Sequence, residues 1–363
     1  MAIMMLFITF VPVVLISVFI PYLTRRTESF GVSIPEDIYE SEELVRMRKS
    51  YAFQCSWLGV VAIATSTAMM ATLNEPWASI SFSIFLLLFL VISFFLYLKF
   101  HFLMKALKQD RNWKEARSET LAIDTSFRRK KVAYSNWWFV IHGLAIVGTV
   151  IMTFAFYDRI PNRIPTNFDF EGNVTGWTDK STRALLMLPS LQVFMTGLFI
   201  FINTIISRSK QQIDAANPEA SVQRNIVFRR RWSAFSIVMG AVIIVQFFAS
   251  QLSYIINLGP TFLLVVNIVG IGAILVGCIV LSFTTGQGGS RVKTVLGKQD
   301  KVINRDDDRH WKLGQFYFNP DDPAIWIEKR FGVGWTINFA RPLGWGSLLA
   351  ILGLALLLPI LFS

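Results

Sequence analysis

Charge is what this chain withholds from most of its length: Asp, Glu, Lys and Arg make up only 16% of its 363 residues, and long stretches contain none of them. Uncharged apolar runs occupy 3–23, 57–73, 80–98, 137–157, 184–206, 234–256, 260–283 and 344–362. A helix rises about 1.5 Å per residue, so runs of this length suit the hydrocarbon layer of a bilayer. Burying an ionised side chain in that layer is costly unless a function requires it. Runs free of such residues therefore lack the usual signature of ion-coupled pumps and of intramembrane acid–base enzymes.

Cysteine and histidine are also scarce. The two cysteines, Cys55 and Cys278, have no paired spacing and no neighbouring His or carboxylate cluster, which argues against a disulfide framework and a zinc site. The catalytic patterns HExxH, paired intramembrane aspartates, GxSG and the Walker A sequence are missing. The nearest phosphate-loop look-alike, GQGGSRVKT at Gly286–Thr294, has the wrong spacing from glycine to lysine. No catalytic residue, metal ligand or cofactor is expected, and the chain reads as a non-enzyme.

What is present is apolar: 53% of the residues are hydrophobic, 32 of them Phe. The net charge of +11 would suggest nucleic acid in a soluble protein; in a membrane protein it reports Lys and Arg kept on the cytoplasmic face. No direct nucleic-acid partner is expected. The seven segments connecting the runs carry 5, 0, 10, 4, 6, 0 and 10 Lys and Arg residues in chain order, so 31 of all 35 fall in odd-numbered connections. One missed or invented span would scramble that alternation. It predicts both termini outside and the odd connections inside, in keeping with Arg25 and Arg26 following the first run rather than preceding it.

The fold class expected is an all-α polytopic membrane protein of about eight transmembrane helices, N-out and C-out. Residues 1–136 form an N-terminal membrane region, in which the mixed charges between Thr24 and Ser56 suggest a short amphipathic helix on the cytoplasmic side. Residues 137–283 form a membrane domain with an extracellular loop at 158–183, and 284–305 a small, polar, basic linker. Residues 306–342 form a cytoplasmic module, and 343–363 the last transmembrane helix. The module interleaves Trp311, Phe316, Tyr317, Phe318, Trp326, Phe331, Trp335 and Phe339 with a turn at Asn319–Pro323, a pattern suited to short strands. Being too short for a sufficient core of its own, it should dock on the membrane surface or on the other inside loops. The basic clusters Arg128–Lys131 and Arg229–Arg231 set topology and offer charge to anionic lipid.

The outer loop is polar but built to hold a shape. Pro161 and Pro165 fix φ, Gly172 and Gly176 permit turns, and Phe168 and Trp177 can pack the loop on itself or on headgroups. Together with Arg159, Arg163, Asn167 and Lys180 these are the candidate ligand-binding residues. A second candidate set is polar and intramembrane: His142, Gln192, Asn203, Gln246, Gln251 and Asn267. These side chains either line a substrate route or hydrogen-bond between helices.

Pro161, Arg163, Ile164, Pro165, Phe168, Gly172, Gly176, Trp177 and Lys180 together resemble the signature of an uncharacterised bacterial membrane-domain family. That domain also forms the N-terminal part of SdpI-type immunity proteins. Asn167 stands where histidine is common in the pattern, which softens any ligand or titrating role at that place. Trp311–Pro342, with FYFNPDDP and KRFGVGWTINFARP, is similar to a soluble module attached to members of the same family. The resemblance implies a multi-pass protein of a bacterial cell membrane that recognises a toxic peptide or another extracytoplasmic ligand. It further implies immunity or signalling through a cytoplasmic regulator. The alternative from composition is a transporter or permease component, with an intramembrane enzyme ranked last.

Overall fold

The computed structural model describes residues 2–74, 77–113, 131–168, 174–212, 218–256, 258–292 and 308–362. Its frame is helical: α1 (Ala2–Leu23), α2 (Glu42–Thr72), α3 (Trp77–Asp110), α4 (Val140–Ala155), α5 (Thr182–Arg208), α6 (Pro218–Ser253), α7 (Pro260–Thr285) and α8 (Pro342–Phe362). Short strands pair as antiparallel hairpins: β1 (Glu28–Ser29) with β2 (Val32–Ser33), β3 (Arg163–Phe168) with β4 (Val174–Asp179), β5 (Trp311–Lys312) with β6 (Phe316–Tyr317), and β7 (Trp326–Glu328) with β8 (Trp335–Ile337).

Six helices among the described residues are long and apolar enough to cross a membrane, and α1 and α8 add two shorter apolar ones. The outward faces are as apolar as a core. Leu87, Phe95, Val147, Val193, Val269 and Leu349 are all exposed, a surface that water does not favour and lipid does.

Local sequence explains the helix ends. Ser181 caps α5, its Oγ accepting from the Ala184 amide at 3.1 Å, and Glu42 and Glu43 place negative charge at the start of α2. Pro260 occupies the first turn of α7, where its missing N–H is not needed. Three helices run well past the uncharged windows: α2 begins at Glu42, α3 continues to Asp110 and α6 begins at Pro218. A hydropathy window senses only the apolar portion of a helix, whereas helix-forming polar residues extend it into water. The short separate helix expected between Thr24 and Ser56 is therefore corrected: that segment holds the β1–β2 hairpin and then the first turns of α2 itself.

The helices form two packed groups. α1, α2 and α3 share a core of Phe10, Val14, Leu44, Tyr51, Cys55 and Phe89. α4, α5 and α6 pack on one another, α7 bridges α6 to α1, and α8 lies against α5. The odd-numbered connections meet at one end of this assembly, because Arg25, Lys108 and Lys210 all pair with residues between α7 and α8. The β3–β4 hairpin lies at the other end, where Arg183 at the start of α5 donates to the Leu361 carbonyl at the end of α8.

Candidate functional site: a hairpin and a module at opposite ends of the same helices

At the hairpin end, β3 and β4 pair from Arg163↔Asp179 to Phe168↔Val174, with bulges around Asn167 that bring it opposite Gly176. Ile164 turns inward and is buried with Ile160 and Leu185, while Tyr157, Tyr254 and Ile255 pack around them. The Tyr254 hydroxyl, just beyond α6, donates to the Pro165 carbonyl at 3.4 Å. Lys180 is held in place: its ammonium donates to the Ile160 carbonyl at 2.9 Å and lies 4.6 Å from the centre of the Tyr157 ring. Arg159 stacks on Phe156 in the same way at 5.1 Å. These two cations thus fasten the loop.

Pro161, Arg163 and Trp177 face outward. Trp177 is 53% exposed, paired across the hairpin with Pro165, and Arg163 and Asp179 make only a loose, exposed ion pair at 3.8 Å. Pro161 is exposed at the foot of β3. Gly172 lies outside the described residues. An arginine and a large indole on one ribbon give a surface able to take an anionic or aromatic group of a ligand.

The intramembrane polar set divides. Asn203 Nδ2 donates to the Tyr134 carbonyl at 2.9 Å and to Asn136 Oδ1 at 2.7 Å, and its Oδ1 accepts from Ser233 Oγ at 2.6 Å. His142 Nε2 donates to the Ile237 carbonyl at 3.2 Å, against Gly240, where any Cβ would come within 2.6 Å of the imidazole. Gln192 donates to the Ile244 carbonyl at 3.0 Å, and Gln251 to Thr153 Oγ1 at 2.9 Å and the Leu185 carbonyl at 3.1 Å. These four share the α4–α5–α6 interface. Gln246 and Asn267 stand apart, bonded to each other between α6 and α7. The six do not form one file.

At the other end lies an ionic core that motif reasoning missed. Glu328, on β7, is completely buried, as is Arg229 of α6, and Arg229 Nη2 donates to Glu328 Oε1 at 2.9 Å. Asn225 Nδ2 donates to the same oxygen at 2.8 Å, and Arg25 pairs with the other carboxylate oxygen. The rest of the Arg229 guanidinium is used as well, on Asn225 Oδ1 and on the Ile206 and Ser209 carbonyls that end α5. Two residues along, Arg330 pairs with Asp308, which also takes Lys108 of α3 at 2.5 Å. Glu28 lies within 3.7 Å of Arg25 and 4.0 Å of Arg330. Burial dominates at Glu28 and pushes its carboxyl above the ordinary range despite both guanidiniums.

A third tie joins Asp322 to Lys210 at 2.6 Å and to the Tyr317 hydroxyl at 2.8 Å. Burial alone would raise the Asp322 carboxyl; Lys210, the Ala324 amide and Tyr317 outweigh it and hold it below the ordinary range. Gln287, in the turn after α7, donates to the Lys329 and Gly334 carbonyls and accepts from the Gly334 amide. The described part of the phosphate-loop look-alike, 286–292, is thus a helix-ending turn whose glutamine reads the module backbone. The module docks through these ties, and Arg229 belongs to its foundation rather than to a lipid-facing cluster. Arg128–Lys130 and most of the 284–305 linker lie outside the described residues.

One sequence signal could have exposed this core. Arg229 falls at helical spacing with Val222, Asn225, Ser233 and Ser236, a charge-free stripe that is buried along α6 and to which exposed Arg230 and Arg231 do not belong.

Comparison with known sequence families finds two matches. Residues 144–193 match a domain of unknown function, DUF1648, covering most of α4, the hairpin and the first part of α5. Residues 320–345 match a family of unknown function, DUF5808, which includes Asp322, Glu328 and Arg330. No curated protein and no solved structure matches the chain. DUF1648 occurs in membrane proteins, and with the apolar helices it makes this chain a multi-pass membrane protein.

Proposed function

We propose that this chain is a non-enzymatic, N-out and C-out protein of a bacterial cell membrane that senses an extracytoplasmic ligand with the β3–β4 hairpin and relays its presence to the cytoplasmic module. The resemblance to SdpI-type immunity proteins makes a toxic peptide the leading ligand and immunity or signalling the outcome. One observation carries the reading: α5 and α6 touch both ends. Leu185 and Tyr254 hold the hairpin, and Arg229 and Lys210 hold the module. A helix is stiff along its axis, so a shift at the hairpin reaches Glu328 and Asp322 without a separate messenger.

The test is protection of cells against the peptide, with expression and membrane insertion verified. Trp177→Ala and Arg163→Ala should abolish protection and ligand capture while leaving the fold intact. Unchanged protection in both variants would remove the hairpin from the function.

A second reading, a transporter or permease component, rests on different atoms. Gln192 Oε1, Gln251 Oε1 and His142 Nδ1 are buried along the α4–α5–α6 interface without a hydrogen-bond partner among the described residues. Such atoms favour water or a polar solute beside them. Proteoliposome flux that survives simultaneous replacement of Gln192 and Gln251 by leucine would reject that route.

A further inference from the structure

Between the last turns of α3, the β1–β2 turn and the start of the module lies a cleft of about 440 Å³, lined by His101, Lys105, Lys108, Asp308, Arg309 and Trp311 among others. We propose that this cleft binds a phosphate ester. The proposal rests on the chain being a membrane protein and is independent of what the hairpin recognises.

The electrostatics of the lining favour an anion. Asp308 is the one acid among the six, and its charge is already met by Lys108 at 2.5 Å and by Arg330 behind it. Lys105 and Arg309 are exposed, and neither has a carboxylate partner among the described residues; Arg309 Nε donates only to the neighbouring His310 ring at 2.9 Å. Among the described residues, the cleft therefore presents an ammonium and a guanidinium without a carboxylate partner.

A second observation is independent of charge. Trp311 is only 5% exposed, and its indole N–H is buried without an acceptor among the described residues. A buried N–H left unpaired is unfavourable, so such a donor in the wall of a cavity favours an acceptor there. Ammonium, guanidinium and indole N–H are all donors. The complementary group has several acceptor oxygens and negative charge, which describes phosphate.

Position suggests where that phosphate comes from. The uncharged run in α3 ends at residue 98. Lys105 lies about 10 Å further along the helix axis, within reach of the headgroup layer for a long side chain. Phe95 and Phe102, 63% and 53% exposed, continue the lipid-facing surface of α3 up to the cleft. An acyl chain against these rings would set its phosphodiester beside Lys105. A soluble phosphate ester has the same chemistry and could enter from the aqueous side.

The experiment uses the full chain in a phosphate-free maltoside detergent, alone, with added phosphatidylglycerol, or with added glycerol phosphate. Thermal unfolding and lipid adducts in native mass spectrometry are measured. Lys105→Gln and Trp311→Phe are compared with wild type and with Lys49→Gln, an exposed charge at the same end outside the cleft. Phosphatidylglycerol should raise the melting temperature of wild type and Lys49→Gln. Apparent binding should weaken about tenfold in each cleft variant, the loss expected for one charge-assisted or buried hydrogen bond. Protection by glycerol phosphate, lost in the same variants, supports the site with a soluble ester as its ligand. No protection by either, or equal protection in the cleft variants and wild type, overturns the proposal.

Discussion

Arg229 of α6 and Glu328 of β7, 99 positions apart, meet at 2.9 Å with neither side chain exposed to solvent. Two buried charges are tolerable only when their remaining valences are filled, and here they are: Asn225 and Arg25 complete the carboxylate, and backbone carbonyls complete the guanidinium. The pair joins the module to α6, while Arg25 brings in the chain that follows α1. It acts as the hub of the helix ends.

Removing one member should be far worse than removing both. Glu328→Gln takes the carboxylate charge away from the buried Arg229 guanidinium and leaves Arg25 only its longer contact with Glu28, and a loss of about 3–5 kcal/mol is expected from breaking a buried pair. The double variant Arg229→Met with Glu328→Met should recover a substantial part of that loss. Thermal unfolding in detergent, with limited proteolysis of 308–341, reads both; equal damage from single and double variants would contradict the hub.

Gly31 has φ +76°, and a Cβ there would lie 2.6 Å from the Gly314 carbonyl oxygen and from the Tyr97 hydroxyl. Gly31→Ala should therefore combine a disfavoured backbone with a clash and destabilise by more than about 1 kcal/mol. A melting temperature unchanged from wild type would show that the β1–β2 turn and the module do not approach this closely.

The two perturbed carboxyls give opposite pH responses. Asp322 is depressed, so its contribution is complete above the ordinary carboxylate range and is lost as pH falls through its lowered folded value. Glu28 is raised, so the folded state holds its proton more tightly, and stability declines as pH climbs from the ordinary carboxylate range through the raised value. Asp322→Asn should flatten the acid limb of the stability profile, and Glu28→Gln should remove the decline above it.

At the hairpin, burial separates structure from recognition. Ile164 is buried against Leu185, and Ile164→Ala should destabilise by about 2–5 kcal/mol. Exposed Trp177→Ala should change stability by less than about 0.5 kcal/mol while removing ligand capture.

Sidedness is checked with Thr175→Cys and Lys312→Cys, both exposed. A membrane-impermeant thiol reagent applied to intact cells should label the first and spare the second. Labelling of both from the same side would dismantle the relay.

The lack of charge in the apolar runs was enough, from the sequence, to mark the long apolar helices, and the clustering of Lys and Arg in alternate connections gave the expectation for their sides. Both signals are local sums that need no partner. The aromatics between Trp311 and Phe339 likewise pointed to short strands, which are present as β5–β8. What a linear reading could not supply was that α2, α3 and α6 continue beyond their apolar windows, or that Arg229 faces inward while Arg230 and Arg231 do not. Nor could it show that Gln246 and Asn267 stand apart from His142, Gln192, Asn203 and Gln251. Those distinctions depend on which side chains meet across distant segments. A buried ion pair, or a cleft lined with donors, exists only once the packed chain excludes water from both partners at the same place.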